Sequence, residues 1–364
     1  MKKFIRAIAI VLILTMSQTL FGCGQSAGQS SAGSSSGSEA QASSTDNVDN
    51  TGNTDGNPTY TIRVALTVGI DNPRYIALNE VFKPQVEEKS GGAITIELYP
   101  SSQLGTDTET TEAVMLGNLE MVAPSSSVWV PFDDRFAVLD LPYLFISLDA
   151  AHAALQGGEL GQTLNGYAEE LGVHVLSWGD SGFRGLTNSK RPVYAPADLQ
   201  GLKLRCMENA YHLAAFSSWG VNPTPMAYSE LFTALQQGTV DGQDNGAVLS
   251  YTDGMYQAQK YFTSLDHILS GNCFIINKDL WAGMPEDYRT IITDAVDQYI
   301  LRQNELVTQS IEDCVKAMED VGLEVNYLTA EQKQVFADAA AGVYDMYIEK
   351  YGSELIDIAK TYNK

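Results

Sequence analysis

The chain has 364 residues and carries 45 acidic against 22 basic side chains, a net charge of −23. With 44% apolar and 18% charged residues it is long and apolar enough for two packed domains. A surface this negative, with no basic patch to oppose it, repels phosphate backbones and acidic lipid headgroups, so no nucleic acid partner is expected.

The N-terminus reads as an address. Met1 to Arg6 is basic, and Ala7 to Leu14 is an unbroken apolar run. That is the pattern of a signal-peptide core. It is shorter than the roughly 20 apolar residues a spanning helix needs. Leu20-Phe21-Gly22-Cys23 follows and resembles a bacterial lipobox. Small Gly22 would permit cleavage and the Cys23 thiol would receive lipid, although Phe21 departs from the usual small or β-branched residue. Residues 24–58 hold almost no apolar side chain. They cannot bury enough surface to fold and would form a flexible tether with an end-to-end distance of roughly 30–35 Å. The expected order is a lipoprotein signal peptide (1–22), a tether (23–58) and a globular part outside the cell membrane, touching it only through the lipid.

Strand-like and helix-like segments alternate from about residue 59. "YTIRVALTV" alternates with period two, "PRYIALNEVFKPQVEEKS" is helical with Pro84 as a possible break, and "AITIELYP" is a strand. "TDTETTEAVMLGN" is helical and "LEMVAP" is a strand. The rhythm predicts an α/β fold with largely parallel strands. Near the C-terminus, Pro285 suits a first helical turn, Glu286 and Asp287 suit its dipole, and Gly322 suits a stop. No Gly or Pro interrupts residues 286–321. A helix that long extends about 50 Å and would bridge two domains. The amphipathic residues 329–361 suit either a dimer contact or a cap on the second domain.

Two echoes of catalysis fail on context. "GDSG" at 179–182 and "AAH" at 150–152 resemble serine-protease motifs. The order His, Asp, Ser on a β-barrel is not met, and His152 falls inside an amphipathic helix. No Walker loop, HExxH or GxSxG is present. Cys206, Cys273 and Cys314 form no CxxC spacing, so no metal site is indicated and buried free thiols are expected. No cofactor is implied.

The segment "GFRGLTNSKRPVYAPADLQGLKLRC" places Arg184 and Arg205 in two short β-like runs. A guanidinium is always charged and its planar fork matches a carboxylate. Two forks on neighbouring strands could clamp one anion. Each could equally pair with a surface carboxylate, and spacing leaves both readings open.

That segment, together with "NPTPMAYSELFTALQQGTVDGQDN", "ELYPSSQLGTD", "VLDLPYLF" and "YQAQKYFTSLDH", resembles the DctP-family solute-binding proteins of TRAP transporters. The resemblance runs from about residue 60 past 320. It implies a two-lobed, periplasmic-binding-protein-like α/β fold with a long helix spanning both lobes. Lobe 1 would be 59–181 plus 271–310, and lobe 2 would be 182–270 plus 311–364. It implies capture of an organic acid (a C4-dicarboxylate, a sugar acid or a related hydroxy acid) by hinge closure, and delivery to TRAP integral membrane subunits. Arg205 stands at the position that binds the substrate carboxylate, Arg184 at a second cationic position and Asn245 at a supporting amide. Tyr228 stands at an aromatic position against the ligand's carbon skeleton. Ser125, Ser126, Thr67 and Asp107 fall on first-lobe positions that contact ligand. Trp178 and Asp180, in "SWGDSGFR", would add a stacking wall and a hydroxyl acceptor. Glu208 would face the anion site. Gly246, where the family often has proline, would loosen the hinge-side turn. Two rivals remain at this level: a surface enzyme acting on an anionic sugar, and a binding protein of an ABC importer.

Overall fold

The computed structural model describes residues 58–364. The leader, Cys23 and all but the last residue of the tether lie outside the described residues. Eleven strands are present among those described: β1 (Tyr60–Ala65), β2 (Ile94–Tyr99), β3 (Met121–Val122), β4 (Val173–Phe183), β5 (Gly185–Asn188), β6 (Lys203–Cys206), β7 (Asn222–Pro225), β8 (Gly242–Asn245), β9 (Tyr261–Ser264), β10 (Leu269–Asn277) and β11 (Glu324–Tyr327).

They form two sheets, ordered β2-β1-β3-β10-β4 and β11-β9-β5-β8-β6-β7. The expectation of largely parallel strands needs correction. In the first sheet β10 runs antiparallel to both β3 and β4. In the second, β5 runs antiparallel to both β8 and β9. The reason is the connection between the sheets. Β4 leads straight into β5 through Arg184, and β10 enters the first sheet directly after β9 of the second. Such direct crossings replace the helical crossovers that keep strands parallel. Arg184 N–H donates to Ile268 O at 2.8 Å, so the two crossing segments are tied together where they pass.

Local sequence explains most helices. Thr106 caps the helix Asp107–Met115 in a capping box with Glu109. Residues 73–89 are helical but contain a π-turn at Leu78–Phe82, directly before Lys83-Pro84. Proline removes one i→i−4 bond, and the wider turn absorbs the loss without ending the helix.

Glu286–Asp320 is one 35-residue helix. Its first half buries Ile292, Val296 and Tyr299 beneath the first sheet, with Phe82 and Phe274. Its second half buries Val315 and Met318 with Phe262 of β9. Gly322, at φ +100°, follows its end. The helix thus packs on both sheets, and the molecule is a two-lobed, periplasmic-binding-protein-like α/β fold spanned by one long helix.

The C-terminal helices Ala330–Ala339, Ala341–Tyr351 and Glu354–Thr361 do more than cap the second lobe. Tyr347 and Tyr344 donate to the carbonyls of Arg135 and Pro142, and Lys350 pairs with Asp134. Trp219 Nε1 donates to Phe336 O at 2.9 Å on the other side. Cys206, Cys273 and Cys314 are buried free thiols, and burial pushes Cys206 and Cys273 up to about 12.

Candidate functional site

The sheet order decides which cations meet. Β8 lies between β5 and β6, with Leu186 opposite Asp244 and Arg205 opposite Gln243. Arg184, entering β5, and Arg205, on β6, therefore flank β8 and its Asp244 and Asn245. Β6 and β8 are parallel, and both deliver these residues near their carboxyl ends. Ligand sites of open α/β sheets form there. From the first lobe, Thr67 follows β1, Ser125 follows β3 and Asp107 opens a helix.

The two arginines are equally buried, 2% and 1% exposed, yet differently held. Arg184 Nε donates to Asp244 Oδ2 at 2.7 Å, and its Nη2 donates to Asp244 Oδ1 at 3.1 Å and to the Asp244 carbonyl. His267 Nε2 lies 3.3 Å from the same Oδ2. Burial alone would raise the Asp244 carboxyl, but the Arg184 charge overcomes it and holds the group far below the usual range. Behind it, His212 links Asp244 (3.8 Å) to Asp140 (3.1 Å), and Ser127 and Asn209 each donate to Asp140 at 2.5 Å.

Arg205 has no such partner. Its Nε donates to Met226 O at 2.9 Å. Its Nη1 is buried without a hydrogen-bond partner among the described residues. Burial lowers its pKa, against the attraction of Asp244. A desolvated cation with no carboxylate within ion-pair distance is costly, and its Nη1 is left as an unused donor in a residue that borders the cavity.

Two small cavities meet here. One, of about 20 Å³, is bordered by Arg205, Glu208, Met226 and Val128; the other, of about 30 Å³, by Thr67, Arg74, Ser125, Arg184, Asn245 and Ser270. Asp107, Met207 and Tyr228 border both. Asp107 accepts from Thr67 Oγ1 at 2.9 Å. Burial raises its pKa, opposed first by the charge of Arg74. Tyr228 donates to Asp253 Oδ2 at 2.6 Å, and Gly69 N–H donates to Asp253 Oδ1 at 3.3 Å. Asn72 Nδ2 reaches Thr252 Oγ1 at 3.4 Å. These bonds hold the loop 67–72, which follows β1, against the segment 252–253, which ends the helix after β8. The remaining space holds only a water molecule or two, so the lobes are closed and ligand entry requires them to part.

Of the residues singled out in the sequence, Arg184, Arg205, Asn245, Tyr228, Ser125, Thr67, Asp107 and Glu208 come together around these cavities. Glu208 is exposed at the rim. Three others do not. Trp178 is a core residue, 2% exposed, with Nε1 donating to Asn165 Oδ1 at 2.8 Å and its ring beside Phe136. Asp180 turns to the hinge instead, contacting His152 at 2.5 Å and accepting from Gly182 N–H at 2.7 Å. Ser126 is buried against Gly271, outside the cavity walls. The Gly246 turn is not loose. A Cβ there would meet Ser181 O at 2.8 Å and Phe183 O at 3.0 Å, so glycine is required by close backbone approach.

Sequence reasoning missed Arg74, Asp244 and Asp253. Arg74 carried a readable signal: it follows Pro73 in the first turn of a helix, where the dipole disfavours a cation. It is 4% exposed, donates through Nη1 to Ala123 O at 2.7 Å, and leaves Nε buried and unpartnered. A larger hollow of about 730 Å³ lies elsewhere, between Phe183, Phe262, Ile311 and Val315. It has no buried arginine, and its one basic residue, Lys316, pairs with Asp320, so it is not the anion site.

Buried guanidinium groups in a closed interlobe cleft define a receptor for a small anion. Comparison with known proteins agrees. The model of the DctP family, bacterial extracellular solute-binding protein family 7, matches residues 64–350. The C4-dicarboxylate-binding periplasmic protein DctP of Rhodobacter capsulatus is 35% identical over 281 residues, 77% of this chain and 84% of that one. Two TRAP periplasmic solute-binding protein structures superpose closely. The Shewanella oneidensis protein with bound succinate has a TM-score of 0.80 at 28% identity, covering 84% of this chain and all of that one. The Polaromonas protein bound to D-erythronate has a TM-score of 0.79 at 30% identity, covering 82% and 98%. The chain belongs to the DctP family of bacterial extracellular solute-binding proteins.

Proposed function

We propose that the protein is the solute-binding subunit of a TRAP transporter, which captures a carboxylate-containing organic acid and presents it to separate integral membrane subunits. The observation that carries this is Arg205, buried with Nη1 unused and no carboxylate partner, in a cleft between two lobes. On this reading the acid's carboxylate pairs with Arg205, and Asn245 and Arg184 complete the cradle. The crossings at Arg184 and Ile268 and the long helix form the hinge. Lobe boundaries near residues 181/182, 270/271 and 310/311 follow from it. Closure excludes water, and each charge-assisted hydrogen bond then contributes about 1.5–3 kcal/mol. Asn72–Thr252 and Gly69–Asp253 tie the closed form, which the membrane subunits would recognise.

Anchoring through a lipid on Cys23, with residues 24–58 as tether, fits a receptor confined to the outer face of the membrane. The relatives are binding proteins, and this chain is read as a receptor that releases its ligand unchanged, not as an enzyme.

Replacement of Arg205 by Ala tests the assignment. The variant should fold with normal circular dichroism and lose about 3–5 kcal/mol of binding, taking a micromolar affinity to roughly millimolar. Calorimetric titration with a panel of organic acids measures it. Wild-type affinity in the variant would refute the site, and recovery of a chemically altered ligand would refute the receptor reading.

A further inference from the structure

Outside the cleft, one cavity has no role in the reading above. The hollow of about 730 Å³ has an apolar floor of Phe183, Phe262, Ile311 and Val315. All three passages of the chain between the two sheets border it: Ser181 to Phe183 at the end of β4, Ser264 and Asp266 at the exit from β9, and Ile311 to Glu319 of the long helix. It lies behind the crossing as seen from the cleft. Phe183 borders the hollow, Arg184, the next residue, borders a cleft cavity, and no residue borders both. Successive side chains of an extended segment point to opposite sides. Rotation about a hinge narrows one side of it and widens the other. Closing the lobes on the cleft therefore opens the space behind, and the hollow is wide in this closed form while the cleft cavities are nearly shut.

The rim of the hollow has one sign. Asp266, Glu312, Asp313 and Glu319 line it against a single cation, Lys316. Lys316 pairs with Asp320, and Asp266 pairs with Lys333. Glu312, Asp313 and Glu319 have no ion-pair partner within 4.0 Å among the described residues. The carboxylates converge on Tyr327, 63% exposed at the end of β11. Burial raises its phenol, and the charges of Glu319, Glu312 and Asp266 raise it further. An exposed ring beside carboxylates, over an apolar floor, complements an organic cation. The floor takes the carbon body, and the carboxylates and ring face take the charge. An anion meets like charge there, and a bare metal ion leaves the floor uncovered.

We propose that this hollow is a second binding site, for a small organic ammonium ion with an apolar body, and that its occupation holds the lobes closed. The second half rests on the hinge of the solute-binding reading; the first does not. A ligand that binds only the closed form shifts the closing equilibrium toward it, and by linkage it strengthens acid binding by the same factor as the acid strengthens its own.

The test is calorimetric titration of phenethylamine, and of uncharged 2-phenylethanol, into the full chain and into the Glu312→Gln/Glu319→Gln and Arg205→Ala variants. Both glutamates are exposed, so their replacement should leave the fold intact. Phenethylamine should bind wild type and Arg205→Ala alike, and should bind the double variant about fivefold more weakly. 2-Phenylethanol should bind wild type about fivefold more weakly than the amine. Closure is read by amide hydrogen exchange at Gly69, whose N–H donates to Asp253 Oδ1 in the closed form. Phenethylamine at ten times its dissociation constant should slow that exchange, by at most about elevenfold. Equal amine affinity in wild type and double variant, or equally tight 2-phenylethanol, would overturn the site. Loss of amine binding in Arg205→Ala would put the amine in the cleft and overturn it too. So would no amine binding at all, whether the hollow is empty or covered by a second copy of this chain. Amine binding with unchanged exchange at Gly69 would overturn the coupling to closure. None of these outcomes depends on acid binding, so failure of the receptor reading, seen as organic-acid affinity that survives Arg205→Ala, is separate from them.

Discussion

Arg184 and Arg205 flank one strand and are buried to the same degree, but their surroundings differ. Around Arg184 lies a closed polar network: Asp244, His267, His212 and Asp140, with Ser127 and Asn209 beyond. Around Arg205 there is a single carbonyl, an unused nitrogen and a cavity wall. The first cation is tied into the fold by its carboxylate partner, and the second is the one that the proposed function assigns to the ligand's carboxylate. Burial alone did not separate them; the presence or absence of a counter-charge did.

The largest expected effect comes from opening the closed side. Asp244→Asn leaves Arg184 buried and unpaired, which should cost about 3–5 kcal/mol of stability, read as a lowered midpoint in urea unfolding. An unchanged midpoint would mean that the network is not structural. Arg205→Met should do the opposite. Removing an uncompensated buried charge should leave the ligand-free melting temperature unchanged or higher while binding disappears. A large loss of stability would erase the contrast between the two arginines.

Trp178→Phe addresses the core side. It removes one hydrogen bond and some volume, for about 1–3 kcal/mol of stability, and should leave ligand affinity untouched. A drop in affinity would return Trp178 to the cleft. The smallest effect concerns the hinge. Burial would lower the His152 pKa, but the hydrogen bond and charge of Asp180 outweigh it, and the group is raised. A raised histidine stabilises the fold fully below its unfolded value of about 6.5 and loses that contribution as pH climbs through the folded value. Stability should therefore fall on going from pH 6 to pH 9, by within about 1 kcal/mol, and less so in His152→Gln. Equal slopes in the two proteins would show that the contact contributes nothing.

The local elements were legible where local physics sets them. The uninterrupted run 286–321 gave the long helix, and "TDTETTEAVMLGN" gave the helix that the structure shows capped by Thr106 and Glu109. The parallel-strand expectation met five of the nine strand pairings and missed the four made by β10 and β5, because a period-two pattern carries no information on strand direction. That direction came from the crossings at Arg184 and Ile268. Of the candidate site, the residues on strand ends and helix starts were legible. Trp178 and Asp180 were misplaced because they precede the crossing, and β4 turns their side chains into the core and the hinge.

What the sequence determined by itself was the α/β composition, the bridging helix, the acidic surface and the two fixed cations, since each follows from residue type and short-range spacing. Only the tertiary structure decided what those cations do. Asp244 lies 60 residues from Arg184 along the chain and becomes its partner because β8 inserts beside β5. Arg74 and Asp107 are brought to the same cleft because they lie on the segments that follow β1 and β2, which are neighbours in the first sheet. Charge compensation depends on distance in space and on lost solvent, and neither is written in the order of the residues.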